Sequence, residues 1–266
     1  MGRGSLFWGS VLILLGILFA LQAANVIQDV FGWFWPLFLI LLGVAILVNR
    51  VDLSVTNENS ALEHRRFSVD LNDAERLMLE IDHGAGAIRI NGGAPPGTAL
   101  RGTQGATMSY QSQRNGKTLA IELDAGPSFL PFLGPENGAW QFQITNAVPV
   151  SIKMECGMAS LDFDFTDTQL EFLGLEMGAA SLNLKLPAHA TRTLVDIESG
   201  AASLNITIPQ DVAARIRLEQ GASSQNIDTA RFPQVGEGWY ESPDFERAEH
   251  RAEINLEGGA NNVIVR

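Results

Sequence analysis

Hydrophobic positions are continuous near the start of the chain and alternate with polar positions in the remainder. Two stretches without a charged side chain run from Ser5 to Gln22 and from Phe31 to Val48. A membrane-spanning helix needs roughly 17–25 apolar residues, so both stretches are long enough to cross a bilayer, and the short connection 23–30 makes them a helical hairpin. For the first stretch a cleaved signal peptide is the alternative, but the second span follows too closely to favour it.

Basic residues near the ends of these spans predict how the hairpin is oriented. Arg3 precedes the first span, and Arg50, Arg65 and Arg66 follow the second, whereas the connection carries only Asp29. Cytoplasmic flanks of membrane spans are enriched in Lys and Arg. We therefore expect a multi-pass membrane protein with both termini in the cytoplasm.

The rest of the chain is organised by one short repeat, in which an apolar residue and Glu are followed by one variable residue and then by Gly. Its glycines are Gly157, Gly178, Gly200 and Gly221, at intervals of 21, 22 and 21 residues. Period-two alternation on both sides of each glycine predicts strands with one buried face. A fixed period of this length is typical of stacked solenoids. The prediction is an all-β solenoid in which each repeat is one strand–turn–strand rung.

Two outlying copies extend the repeat and place further structural glycines at Gly84 and Gly258. Each repeat glycine is expected to adopt a positive φ or to occupy a corner that has no room for a Cβ atom. The solenoid is predicted to cover 74–266, after a juxtamembrane linker at 51–73. Insertions interrupt the repeat at about 103–140, where Asn115-Gly116 signals a β-hairpin, and at about 231–248.

Composition narrows the classes of function. The chain has 266 residues, with 18 basic and 30 acidic side chains and a formal net charge of −12. Residues 1–49 hold only Arg3 and Asp29, so the whole excess lies in 50–266. This acidic segment argues against a nucleic-acid-binding protein, because binding to phosphates needs clustered Lys and Arg. The single cysteine argues against a disulfide framework and against a multi-cysteine zinc site.

Cys156 and His83 are the candidate nucleophile and base. They occupy the same repeat position, which elsewhere holds Met177 and Ser199. A position that accepts Met is a variable rung position, and the other histidines show no metal-ligand spacing. We therefore predict a non-enzymatic protein without catalytic residues, a bound metal or a cofactor.

Acidic residues also share one repeat position, directly before the variable one. They are Asp82, Glu155, Glu176, Glu198, Glu219 and Glu257. One interpretation is a ladder that binds cations. The other, which we favour because the calcium-binding repeat signature is absent, is an outward, solvated row.

The two insertions carry the candidate contact residues. The first contains an apolar tip, and the second an aromatic pair: Phe129, Leu130, Phe132 and Leu133, and Trp239 with Tyr240. Exposed apolar residues of this kind contact a partner or a bilayer surface. The alternative is that both groups cap the ends of the solenoid.

At these motifs the chain resembles known families. Phe7-Trp8 and Leu12–Gly16 return as Phe34-Trp35 and Leu39–Gly43, and this doubled hairpin resembles the membrane region of the bacterial LiaI and LiaF proteins. The Glu-x-Gly-Ala repeat resembles the toast-rack β domain of LiaF-like and adhesin-like surface proteins. The resemblance implies an all-β solenoid on a bacterial plasma (inner) membrane hairpin. For a LiaF-like protein the resemblance also implies a function, in which the protein restrains a sensor histidine kinase of the cell-envelope stress response.

Two hypotheses for the function follow. The first is a LiaF-like membrane-anchored protein, in contact with the lipid bilayer through residues 5–48, which modulates a cell-envelope stress response through protein–protein contacts of its β domain. A sensor histidine kinase or another envelope protein is then the expected partner. The alternative is a surface-exposed adhesin or structural envelope protein, since solenoids present long, extended faces.

Overall fold

The computed structural model describes residues 65–104, 108–125 and 140–266, together with Phe19 and Gln22, which are helical. The chain divides into two compact units, Met1–Glu63 and His64–Arg266. The predicted spans 5–22 and 31–48 lie outside the described residues apart from Phe19 and Gln22. Within the described part of the chain, no helix has the length and apolar character needed to cross a membrane.

The second unit is built from β-strands that pair into one sheet. The described strands are β1 (Arg65–Asp70), β2 (Arg76–Asn91), β3 (Thr98–Gln104), β4 (Ser109–Asn115), β5 (Thr118–Asp124), β6 (Trp140–Ile144), β7 (Val150–Asp164), β8 (Leu170–Lys185), β9 (Arg192–Thr207), β10 (Ala213–Ile227), β11 (Gln234–Gly236), β12 (Trp239–Glu241) and β13 (Arg251–Val265). The sheet order is β1-β3-β6-β2-β7-β8-β9-β13-β10-β12-β11, and β5 and β4 branch from β2.

Six strands of 15–16 residues form the body of the sheet, and each of them bends in its middle at the repeat glycine. In β7 the buried positions before Gly157 include Ile152 and Met154, whereas those after it are Leu161 and Phe163. The alternation therefore changes phase at the glycine, so that the arms on both sides of the bend face one hydrophobic core. This arrangement confirms the prediction that one repeat makes one rung.

Short connections return the chain from the end of one rung to the start of the next. Residues 165–169 join β7 to β8, which run parallel, and five residues span at most about 17 Å. The second arm of β7 therefore ends near the start of the first arm of β8. These connections also stack on one another, because the amide of Ala188 donates to the carbonyl oxygen of Thr166 at 3.0 Å.

The order of the rungs in the sheet differs from their order along the chain. The last strand, β13, pairs with β9 on one side and with β10 on the other, in parallel register on both. The chain therefore skips one place in the sheet between β9 and β10, and β13 later occupies it. The outlying C-terminal copy is an internal rung and not the end of the stack.

The ends of the stack are covered by shorter strands. The hairpin β4–β5 lies beside the first arm of β2, and β6, β3 and β1 lie beside its second arm. The predicted hairpin at Asn115-Gly116 is confirmed, with Gly116 at a φ of 60°. The predicted linker 51–73 needs correction, because its last part contains β1, a strand of the sheet. At the other end, β12 and β11 cover the first arm of β10.

Candidate functional site

The acidic repeat position forms a continuous row across the sheet. Strand pairing places Asp82 opposite Glu155, Glu155 opposite Glu176, and Glu176 opposite Glu198. Because β13 lies between β9 and β10, Glu257 follows Glu198 and Glu219 comes last. We call these six side chains the acidic row, and all of them are exposed.

The row extends by one residue that sequence analysis missed. Asp124, at the end of β5, lies opposite Asp82. The signal was present in the sequence, since Leu123-Asp124 repeats the pattern of Ile81-Asp82. It was not recognised because no glycine follows Asp124.

An open groove of about 650 Å³ runs beside the acidic row and crosses β2, β7, β8, β9 and β13. Each of these strands contributes its carboxylate-bearing residue and the residue after it, and the first four also contribute the repeat glycine, as with Glu176, Met177 and Gly178. Because a glycine has no side chain, the backbone is exposed in the groove at these glycines. The carboxylates therefore stand along a shallow channel and not on a crowded surface.

The repeat glycines are required by close contact between neighbouring rungs. A Cβ atom built on Gly178 would lie 2.7 Å from the carbonyl oxygen of Gly157, and one on Gly200 would lie 2.8 Å from that of Gly178. Neither glycine has a positive φ. Of the two explanations that the sequence left open, the positive φ is therefore wrong at these positions, and the lack of room for a Cβ atom is confirmed.

The predicted position of the repeat glycine in the C-terminal strand, β13, also needs correction. Strand pairing aligns Gly258 with Ser199, whereas a Cβ atom on Gly259 would lie 2.8 Å from the carbonyl oxygen of Gly200. Gly259 therefore takes the place of the repeat glycine in β13. Gly258 takes the variable position, and it too has no room for a Cβ atom, which would lie 2.7 Å from the carbonyl oxygen of Ser199. The other five predicted glycines share the bend of their strands: Gly84, Gly157, Gly178, Gly200 and Gly221.

The variable position before the glycine is buried in β2, β7, β8 and β9, where it holds His83, Cys156, Met177 and Ser199. His83 and Cys156 lie opposite each other on β2 and β7, and both are buried. No hydrogen bond joins them, and the ring of His83 instead packs edge-on against Trp140, with 4.4 Å between the centroids. Burial raises the pKa of the Cys156 thiol to about 11, which keeps it protonated. Burial also lowers the pKa of His83, although the charge of Asp82 acts in the opposite direction. The pair therefore lacks the thiolate that nucleophilic catalysis needs.

Few basic side chains neutralise the negative charge of the acidic row. Glu219 pairs with Arg217 at 2.5 Å. In the part of the chain that the structure describes, no ion pair reaches Glu155, Glu176, Glu198 or Glu257. Over the same residues, no three His, Cys, Asp or Glu side chains are grouped as they would be around a metal ion. The row is a line of negative charge.

The predicted contact residues have different surroundings. The apolar tip with Phe129, Leu130, Phe132 and Leu133 lies outside the described residues. In β12, Tyr240 is buried in the hydrophobic core, and its hydroxyl donates to Oε1 of Gln225 of β10 at 3.4 Å. Trp239 is 41% exposed, and the guanidinium of Arg217 lies 5.8 Å from its ring centroid.

Comparisons with known proteins agree with this architecture. Residues 57–207 match the family model of the N-terminal domain of toast_rack, and residues 7–61 match that of the LiaF transmembrane domain. Among curated proteins, none matches the chain significantly.

A solved crystal structure shares the fold of the β domain. The crystal structure of a candidate cell adhesion protein from Clostridium sporogenes is 20% identical, covers 76% of this chain and 98% of its own, and superposes with a TM-score of 0.66. A candidate adhesin from Bacteroides fragilis is 11% identical, covers 76% of this chain and 96% of its own, and has a TM-score of 0.29. The first of these shows the same fold. Because the toast_rack model matches more than half of the residues, the chain belongs to the toast_rack family, and it carries a LiaF-type transmembrane domain before its β domain.

Proposed function

We propose that this protein is a non-enzymatic, membrane-anchored binding module whose acidic groove receives a basic surface of another envelope protein. In this proposal the binding event modulates a cell-envelope stress response, as in LiaF-like proteins. The observation that carries the proposal is the acidic row along an open groove that crosses five strands. A sensor histidine kinase with Lys or Arg on its contacting surface is the partner that we propose.

The spacing of the acidic row supports a cationic partner. Neighbouring strands lie about 4.8 Å apart, and two unit charges at that distance in water repel by roughly 0.8 kcal/mol. This repulsion recurs at each step, for example between Glu155 and Glu176 and between Glu176 and Glu198. A row of Lys or Arg side chains would relieve it and would also steer the partner towards the groove.

The chemistry of the described residues supports binding more than catalysis. Cys156, the candidate nucleophile, is buried and protonated, and the acidic row is linear. A line of carboxylates suits an extended basic surface, because each rung offers one negative charge at a constant interval. The rigid, parallel-stacked strands hold that interval.

A charge-removing variant tests the groove. We expect Glu155→Gln, Glu176→Gln and Glu198→Gln together to abolish co-purification of a sensor histidine kinase with the full-length protein in mild detergent, and to change envelope-stress transcription as deletion of the protein does. The matched control is Asp211→Asn, Glu237→Gln and Glu249→Gln, which removes the same charge from exposed residues outside the groove. The proposal fails if no kinase is enriched with the unmodified protein and deletion leaves that transcription unchanged. It also fails if both triple variants behave alike.

A second candidate function is that of a surface adhesin, which the likeness of the fold to a candidate cell adhesion protein favours. The two functions need the β domain on opposite sides of the membrane. The Lys and Arg distribution around the spans supports a cytoplasmic β domain. Alkaline phosphatase and green fluorescent protein fused in turn after Arg266 separate them: fluorescence without phosphatase activity supports the kinase-binding module, and the reverse supports the adhesin.

A further inference from the structure

A second pocket, of about 650 Å³, lies at the N-terminal end of the stack and has the opposite charge. Its basic lining residues are Arg66, Arg89 and Arg101, and its polar lining includes Asn91, Gln141 and Gln143. We call these six residues and the space between them the arginine pocket. No Asp or Glu is found among the described residues that line it. In a chain with a net charge of −12, such a concentration of arginine is not expected from composition.

Strand register brings the three arginines to one face of the sheet. Arg66 of β1 lies opposite Thr103, which lies opposite Gln141, which lies opposite Arg89. Two residues further along the strands, Arg101 is paired with Gln143 in the same way. Residues two apart on a strand share a face. The arginines are far apart in the sequence, so the cluster arises from the pairing of β1, β3, β6 and β2.

The guanidinium groups are only partly neutralised. Arg89 donates from Nε to Asp162 at 2.9 Å, and its side chain remains 55% exposed. Arg101 donates from Nε to the neutral amide oxygen of Gln143 at 2.7 Å. Arg66 is exposed and takes part in none of the ion pairs between described residues. Two of the three positive charges therefore have no acidic partner in the described structure.

The chemistry of this lining suits a phosphate group. The planar fork of a guanidinium matches two oxygens of a phosphate, and such charge-assisted hydrogen bonds are stronger than neutral ones. The side-chain amides of Asn91 and Gln141 can add neutral donors. The volume is in the range of roughly 300–1,000 Å³ that is usual for small-molecule sites. We propose that the arginine pocket binds the phosphate of an anionic phospholipid headgroup.

The position of the pocket along the chain favours a lipid over a free phosphate. The match to the LiaF transmembrane domain ends at residue 61, and β1 begins at Arg65. The pocket thus includes the first described strand after the match to the transmembrane domain. Lys and Arg close to a transmembrane segment are attracted to anionic lipids.

Hydrogen exchange of the full-length protein in nanodiscs tests this inference. The nanodiscs contain phosphatidylcholine with an increasing fraction of phosphatidylglycerol, and the readout is protection of the amides of β1 and β3. We expect phosphatidylglycerol to protect these strands. Each arginine near an anionic surface contributes about a factor of five in binding, so Arg66→Gln with Arg101→Gln should weaken the apparent affinity about 25-fold, and Arg101→Lys much less.

A matched control removes two arginines elsewhere. Arg76→Gln with Arg192→Gln changes the net charge equally at side chains that are 60% and 63% exposed and lie outside the pocket. Unchanged exchange in β8 and β9 verifies that each variant is folded. The inference is overturned if the control and the pocket variant respond alike, or if pure phosphatidylcholine gives the same protection. If inorganic phosphate added to phosphatidylcholine nanodiscs protects β1 and β3 equally well, the ligand is a free phosphate and the lipid assignment is wrong.

Discussion

Replacing a repeat glycine by alanine should destabilise the β domain, although alanine adds a single methyl group. At Gly178 the new Cβ atom would lie 2.7 Å from the carbonyl oxygen of Gly157, closer than such atoms approach without movement of the backbone. The strands on both sides are in register, so β8 cannot move away from β7 without disturbing β9. We expect Gly178→Ala to lower the stability of the domain.

The magnitude follows from two opposing effects. Overpacking of a well-packed region costs about 1–3 kcal/mol. Alanine also lowers the conformational entropy of the unfolded chain, which stabilises the folded state by about 0.4–1 kcal/mol. With the middle of each range, the net loss should be about 1.3 kcal/mol, which for a domain of this size corresponds to a decrease of roughly 3–5 °C in Tm. Thermal unfolding of the full-length protein in mild detergent, followed by circular dichroism of the β-sheet signal, measures it.

Gly236→Ala is the matched control. Its Cβ atom would lie 3.6 Å from Cβ of Trp239, an ordinary contact, and Gly236 has no positive φ. We expect its Tm to stay within about 2 °C of that of the unmodified protein, because surface substitutions usually change stability by less than about 0.5 kcal/mol. Equal Tm values for Gly178→Ala and Gly236→Ala would refute the explanation that close contact between neighbouring rungs requires the repeat glycines.

Three further predictions concern side chains of the β domain. Burial lowers the pKa of His83, so just below about pH 6.5 the unfolded chain binds more protons than the folded chain. Tm should therefore fall as the pH decreases through that range. The variant His83→Phe should remove part of this decrease. An equal pH dependence of both proteins would contradict the assignment. Arg215 donates to Glu241 at 2.6 Å and to Glu246 at 2.8 Å, so Arg215→Ala should accelerate hydrogen exchange in β12 and leave β7 and β8 unchanged; uniform acceleration would indicate a global effect instead. The Cys156 thiol, buried with a pKa of about 11, should react with a thiol reagent at neutral pH only after unfolding in urea, and rapid labelling of the folded protein would show that the thiol is accessible.

Several features of the fold could be predicted because they depend on local sequence. Alternation of apolar and polar residues is sufficient for a strand, and Asn115-Gly116 is sufficient for a hairpin. The repeated Glu and Gly predict that the acidic residues share one rung position, and strand pairing confirms that they form a row.

The arginine pocket could not be predicted in this way. Arg66, Arg89 and Arg101 lie on three strands whose pairing is antiparallel in part and involves β6, a strand of five residues. Arg89 lies on a rung, opposite Asp162 of β7, but Arg66 and Arg101 lie on β1 and β3, which are not copies of the repeat. Their meeting depends on which edge of β2 the short strands occupy, and local alternation contains no information about that choice.

The amino-acid sequence by itself determined the rung, because the rung depends on the alternation of side chains and on a glycine between two arms. Only the tertiary structure decided the order of the rungs. The copies in β10 and β13 have the same pattern, so both could pair in parallel with β9, and β13 is the one that does. The same register identifies Gly259, and not Gly258, as the glycine in contact with Gly200. Equivalent repeats compete for the same neighbour, and long-range packing and chain connections resolve the competition.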